Sequence, residues 1–207
     1  MEFQFHGANC ISVKYKDTRL VIDDNLIELG AKSVIKPDDV ALYTGPHTGD
    51  QVGRLTFDSP GEYEVSDVSV VGIAARSHMD EEGKQTATMI KLMHGDQSVL
   101  ITGHIYPELT DAQLEAIGIV DVMFVPVGGN GYTVDPVGAV KLIKDIEPKL
   151  VVPTHFNDKA LKFPMPQQEL ANALKELGME PKEAVSKLKL KGIEQSDVAQ
   201  LIVLEKS

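Results

Sequence analysis

Tryptophan is absent from the chain, and cysteine occurs once, as Cys10. A lone thiol cannot close an intramolecular disulfide, so the fold must be held by its core and not by covalent staples. Low-complexity stretches are missing as well. Long apolar runs are missing too: residues 120–127 are among the longest, well short of the roughly 20 residues needed to cross a bilayer. The opening MEFQFHGANC has neither the basic start nor the extended apolar stretch of a secretory leader. Positive charge is in deficit, with 20 Lys and Arg against 31 Asp and Glu and a formal net charge of -11. A surface that acidic repels phosphate backbones, so nucleic acid is not an expected partner without a local basic patch. These absences together predict a cytoplasmic protein, off the membrane. They leave homo-oligomerisation open.

What is present is enough apolar residue for a full core. The chain has 207 residues, 43% of them hydrophobic, which suits one domain spanning 1–207. The first half is strand-rich. Residues 2–5, 10–15 and 19–22 read as short strands broken at Gly7-Ala8-Asn9 and Lys16-Asp17. The third of them ends in Asp23-Asp24. Residues 40–43 form a buried strand, and 54–58, 62–65 and 68–74 continue the pattern. Residues 86–93 and 97–102 read as a hairpin around His94-Gly95-Asp96.

The second half alternates strand and helix. Thr110 and Gln113 form a capping box, and Gly118 closes that helix. A buried strand follows at 120–127. Asp135-Pro136 is an N-cap with proline at the first helical position, followed by a stripe of Val140, Ile143 and Ile146. Residues 150–152 are a further strand. The last helix follows Pro166, with Leu170, Ala173, Leu174 and Leu177 on one face and Gly178 at its end. Residues 187–191 and 199–204 close the chain as strands. The order predicts an α+β fold of two sheets packed face to face with helices outside.

Six histidines are present, and four share a position. His47, His78, His104 and His155 each follow an apolar strand. Strand ends that gather at one sheet edge bring such residues together, and imidazole is the commonest protein ligand for zinc. His47 lies in the loop Thr44-Gly45-Pro46-His47-Thr48-Gly49-Asp50, where two glycines and a proline end the preceding strand.

The order of motifs resembles the metallo-β-lactamase fold superfamily, and within it the small metal-dependent hydrolases similar to ascorbate-6-phosphate lactonases. The matching pieces run from Gly7-Ala8-Asn9-Cys10-Ile11 through Leu20-Val21-Ile22-Asp23 and Ser59-Pro60-Gly61-Glu62-Tyr63-Glu64. They continue with Ala74-Ala75-Arg76-Ser77-His78, Leu100-Ile101-Thr102-Gly103-His104, Val125-Pro126-Val127-Gly128-Gly129 and Val151-Val152-Pro153-Thr154-His155-Phe156. The resemblance implies an αββα four-layer sandwich with a metal site at one edge of the two sheets. It also exposes a degenerate HxHxDH loop. With Thr44 setting the register, Gly45 stands for the first His, Gly49 for the Asp and Asp50 for the last His, while His47 is kept. His104 stands where the family carries a metal-bridging Asp, and His78 and His155 match family histidines.

The resemblance implies a hydrolase with an altered metal site. Its metal ligands would come from His47, Asp50, His78, His104 and His155, with zinc as the first expectation and manganese or iron as alternatives. Three imidazoles, from His78, His104 and His155, would leave one position for water. Asp50 or Asp23 would orient that water or a ligand histidine, as the catalytic carboxylates. Gly129 and Asn130, in the run Gly128-Gly129-Asn130-Gly131, would present N–H groups to a substrate carbonyl or phosphate. The rival reading is a metal-free, catalytically inactive descendant that binds a ligand in the same pocket. An assembly role has no positive support in the residues.

Overall fold

The computed structural model describes residues 1–47, 53–190 and 198–207. Two sheets make up the frame. The first takes β1 (Glu2–Gly7), β2 (Cys10–Tyr15), β3 (Thr18–Ile22), β4 (Val40–Leu42) and β5 (Leu55–Phe57). The second takes β6 (Gly61–Val65), β7 (Val68–Ala75), β8 (Ala87–His94), β9 (Gln97–Ile101), β10 (Val122–Pro126) and β11 (Leu150–Thr154). Three helices interleave with the later strands: α1 (Asp111–Ile117), α2 (Pro136–Ile146) and α3 (Leu170–Leu177). The closing strands are β12 (Pro181–Val185), β13 (Leu188–Lys189) and β14 (Gln200–Leu204). The six-stranded sheet has the order β13-β1-β2-β3-β4-β5, and the eight-stranded sheet β12-β14-β11-β10-β9-β8-β7-β6.

Side-chain alternation explains the sandwich. Along β10, Val122 and Phe124 face the six-stranded sheet, where they meet Phe3, Ile11 and Leu20, while Met123 and Val125 face the helices. Leu150 and Val152 against Val151 on β11, and Val99 and Ile101 against Leu100 on β9, repeat that division. A strand buried on both faces reads as a continuous apolar run, because neither set of alternate side chains meets water. β9, β10 and β11 pair in parallel, so α1 and α2 are the crossovers between them, and both lie on the outer face.

Helix boundaries follow the caps. Thr110 Oγ1 accepts from the Gln113 N–H while Gln113 Oε1 accepts from the Thr110 N–H, completing the expected box. Asp135 Oδ1 accepts from the Gly138 N–H at 2.7 Å, and Gly178 closes α3 in the left-handed region. The α2 stripe is shifted from the expected one. Ala139, Leu142 and Ile146 are buried, whereas Val140 and Ile143 are only partly so.

The outer layer over the six-stranded sheet differs from the helices on the opposite side. Among the described residues it is irregular chain: Leu26, Leu29 and Leu161 pack on Cys10 and Val21. Asp24 organises that segment, its Oδ2 accepting from the Ser33 hydroxyl and from the N–H groups of Val34 and Ile35. A buried carboxylate with three donors fixes a turn that propensity alone would not. No helix among the described residues is long and apolar enough to cross a membrane.

Candidate functional site

The carboxyl ends of β3, β4, β7, β9 and β11 and the β1–β2 turn meet at one edge of the sandwich. They enclose a cavity of about 400 Å³ lined by Asn9, Asp23, Asn25, Thr44, Ser77, His104, Tyr132 and His155, among others. Strand ends fix backbone positions while the following residues stay accessible, which is why sites gather there. Ala8, Asp23 and His155 all hold positive φ, between 49° and 51°, without being glycine. Such conformations cost energy and cluster where a side chain is aimed for use.

Asp23 terminates β3 and is 5% exposed. Thr44, just past β4, donates its N–H to Asp23 Oδ1 at 2.7 Å and its hydroxyl to Oδ2 at 2.5 Å. Burial pushes the Asp23 carboxyl up to about 6, with the Thr44 hydrogen bonds opposing the rise. Gly103 holds φ +64° directly against Thr44, where any Cβ would collide with the Thr44 hydroxyl and Cβ. The ends of β3, β4 and β9 are thereby locked together.

His104 and His155, two of the three histidines expected to converge, lie side by side. Their rings stand edge to face with centroids 4.5 Å apart, and the Tyr132 ring lies 5.6 Å from the first and 5.8 Å from the second. His155 Nδ1–H donates to Gln167 Oε1 at 3.1 Å, leaving Nε2 with a lone pair. Gly128 makes room for that contact: a Cβ there would strike Gln167 Oε1 and the His155 carbonyl. Burial lowers His155 to about 4, with the Gln167 bond opposing. His104 is driven well below the usual imidazole range, first by burial and then by His155 and His78. Both rings are therefore neutral at pH 7, the form that coordinates a metal.

His78 is joined to His104 through the backbone, its N–H donating to the His104 carbonyl at 2.7 Å, and burial lowers its imidazole as well. His47 goes elsewhere: it stacks on Tyr43 at 3.8 Å, and its Nε2 lies 3.4 Å from Asp58 Oδ2. Asp50 lies outside the described residues. The Gly129 N–H donates to the Val134 carbonyl at 3.1 Å, and the Asn130 amide donates to the Pro166 carbonyl. Those two donors are engaged within the protein, and it is their neighbour Tyr132 that lines the cavity.

Whether these residues suit a metal ion turns on their free nitrogens. Nδ1 of His47, His78 and His104 is in each case buried without a hydrogen-bond partner. An unpaired buried nitrogen costs roughly 1–3 kcal/mol, and a bound cation would relieve it. The donor chemistry fits. Among the described residues, however, no three or more His, Cys, Asp or Glu side chains are gathered as a ready metal-binding group. Of the possible ligands, His104 and His155 bring two imidazoles together.

Asn9, Asn25, Glu28, Tyr132 and Gln167 were not singled out from the sequence. Gln167 reaches His155 across 12 residues and Asn9 meets Thr154 across 145. A strand-end position marked the histidines, but no spacing marks these residues.

A family profile for the beta-lactamase superfamily domain matches residues 2–155. A candidate Zn-dependent hydrolase of the metallo-β-lactamase superfamily from Thermotoga maritima superposes with a TM-score of 0.72 at 24% identity, over 100% of this chain and 99% of its own. A candidate metal-dependent hydrolase from Parabacteroides distasonis gives 0.67 at 14% identity, over 99% and 93%. A metallo hydrolase from the hyperthermophilic archaeon Ignicoccus hospitalis gives 0.63 at 16%, over 99% and 94%. Identities this low carry the fold alone. A comparison with curated protein sequences finds no match.

Proposed function

The chain belongs to the metallo-β-lactamase superfamily, and on that premise we propose that it is a metal-dependent hydrolase with an altered metal site. The carrying observation is His104. It lines the cavity, its Nδ1 is buried and unpartnered, and its ring stands 4.5 Å from that of a second neutral imidazole, His155. His104 and His155 would hold the ion, with His78 as the nearest further imidazole and His47 or Asp50 as the remaining donors. Zinc is the first candidate, with manganese or iron as alternatives. A bound ion of this kind supplies an acidic water near neutral pH.

The chain's own residues have separable tasks. Gln167 holds the His155 ring in one tautomer with Nε2 free. Asp23 has both oxygens occupied by Thr44 and acts by fixing the start of the 44–50 loop. Asp50 would serve as a further metal ligand or as the base. The reading includes a small-molecule substrate and a cytoplasmic location. The likeness to ascorbate-6-phosphate lactonases concerns motif order and does not select the substrate.

One observation favours a second reading, a metal-free binding protein: no third described donor joins His104 and His155. Zinc separates the two. A ligand that binds only the folded state raises its melting temperature. Zinc is expected to raise that of the wild-type protein and of His94→Ala, and to leave His155→Ala unchanged. Wild-type protein that shows no zinc-dependent shift and carries no metal by elemental analysis defeats the hydrolase reading in favour of the metal-free one.

A further inference from the structure

β2 runs antiparallel to β3 and β8 antiparallel to β9, so the carboxyl ends of β2 and β8 lie away from the edge that holds His104 and His155. Three hairpin turns meet there, β2–β3 from the first sheet and β6–β7 and β8–β9 from the second. Lys16 Nζ pairs with Asp67 Oδ2 at 2.6 Å, and the Thr18 hydroxyl donates to Ser66 Oγ at 2.6 Å. Ser66 and Asp67 both hold positive φ, 50° and 65°, in a two-residue turn that usually calls on glycine. Backbone strain of that kind gathers where a group is held for use.

A directed hydrogen-bond chain crosses between these turns. The Asp67 carbonyl can only accept, so its 2.9 Å contact with His94 Nδ1 places a proton on that nitrogen. In the neutral ring Nε2 then keeps its lone pair, and the Tyr15 hydroxyl donates to it at 2.8 Å. Hydroxyl, imidazole and orienting acceptor stand in the order that activates a nucleophile. Tyr15 and His94 are both half-buried, and both line an open cavity of about 640 Å³. Its lining reverses the charge balance of the chain, with Lys14, Lys16 and Lys189 against Glu2 and Asp96. The Lys16 ammonium lies 5.1 Å from the Tyr15 ring centroid. Positive charge so placed favours an oxyanion that develops beside the phenol.

We propose that Tyr15 and His94 form a second reactive site, at which Tyr15 takes the acyl group of a small activated ester and His94 is the general base. Tyr15 Oη bonds to the carbonyl carbon as its proton passes to His94 Nε2. The ester C–O bond then breaks, and its electron pair leaves on the alcohol oxygen. His94 gives the proton to that oxygen or to water, and the product is an acyl ester of Tyr15. The step needs no metal and lies at the other edge of the sandwich, so it stands apart from the hydrolase reading.

The probe is p-nitrophenyl acetate, incubated with the full chain at pH 7 with EDTA present throughout. Peptide mass spectrometry locates each acetyl group. Hydroxylamine, which cleaves an aryl ester and spares acetyl-lysine, confirms attachment to the phenol. Tyr63, half-buried and donating its hydroxyl to the Ser59 carbonyl, is the internal control. Tyr15 is expected to be acetylated about tenfold faster than Tyr63, and His94→Gln to slow it about 100-fold by removing the base. A contact that merely tethers the two sheets predicts the reverse, because loss of His94 would free the Tyr15 hydroxyl. Should His94→Gln fail to fold, the wild-type comparison decides. Tyr15 reacting no faster than Tyr63, or as fast in folded His94→Gln as in wild type, overturns the proposal.

Discussion

Thr44 gives both its backbone N–H and its hydroxyl to the carboxylate of Asp23, at 2.7 and 2.5 Å. The pair ties the end of β4 to the end of β3, and Gly103 presses on it from β9. The segment bearing His47 therefore begins from a fixed point.

That support predicts a specific pH dependence. The Asp23 carboxyl rises from 3.8 to about 6 on folding because burial disfavours its charge. The folded state then holds a proton that the unfolded chain has released, so this group lowers stability as pH climbs from about 4 to 6. Two pKa units correspond to about 3 kcal/mol. Asp23→Asn cannot ionise. Relative to wild type, it should gain up to about 3 kcal/mol between pH 4 and pH 7, read from urea midpoints of both proteins. A pH-independent difference would show that Asp23 is not the buried acid.

The histidines act with the opposite sign. His6 and His155 are both lowered to about 4, chiefly by burial. Between pH 6.5 and 4 the unfolded chain binds protons that these rings refuse, so stability falls as pH drops through that window. Proton NMR of the C2 resonances should show both imidazoles neutral down to about pH 4. Midpoints near 6.5 in the folded protein would contradict the burial seen here.

Thr110→Ala removes the acceptor of the Gln113 N–H and half of the capping box on α1. The expected loss is about 1 kcal/mol in chemical denaturation. Because Gln113 Nε2 also donates to the Ala74 carbonyl at 2.7 Å, Gln113→Ala should cost more than Thr110→Ala. Equal losses would mean that the Ala74 bond contributes nothing.

Much of the frame was legible because burial on both faces leaves a plain trace. The strands ending at Pro126 and Thr154 are continuous apolar runs, and the α1 and α2 caps use side chains with one obvious role. β12 was not legible. Pro181-Lys182-Glu183-Ala184-Val185 is almost wholly exposed and sits on the edge of the eight-stranded sheet, so backbone pairing with β14 defines it and side-chain pattern does not. Strand-end position drew attention to His104 and His155, which both line the cavity. Gln167 and Asn9 act through contacts between segments distant in the chain, which no local period encodes. Asn130 was a reasonable guess from its glycine-rich loop, but the loop turns its amide to Pro166 and brings Tyr132 to the cavity.

Gln167 offers the most direct probe of how the site is held. Its Oε1 can only accept, so the 3.1 Å contact requires His155 to carry its proton on Nδ1. Free neutral histidine has no such constraint. Gly128 is bare where a side chain would displace the Gln167 oxygen, so the contact is built into the packing. Gln167→Leu keeps the approximate volume and removes the acceptor. Two hydrogen bonds are lost, from His155 to Oε1 and from Nε2 to the Met165 carbonyl, which together should cost about 1–3 kcal/mol. The tautomer should also change, which packing alone cannot mimic. Long-range proton–nitrogen NMR of histidine-labelled protein distinguishes the two ring forms directly. Wild-type His155 should report Nδ1–H with a bare Nε2, and Gln167→Leu should move the proton toward Nε2. Zinc should then stabilise the variant less than wild type, because the coordinating nitrogen carries the proton. An unchanged tautomer in Gln167→Leu would mean that another group orients His155, and the positioning role of Gln167 would fall.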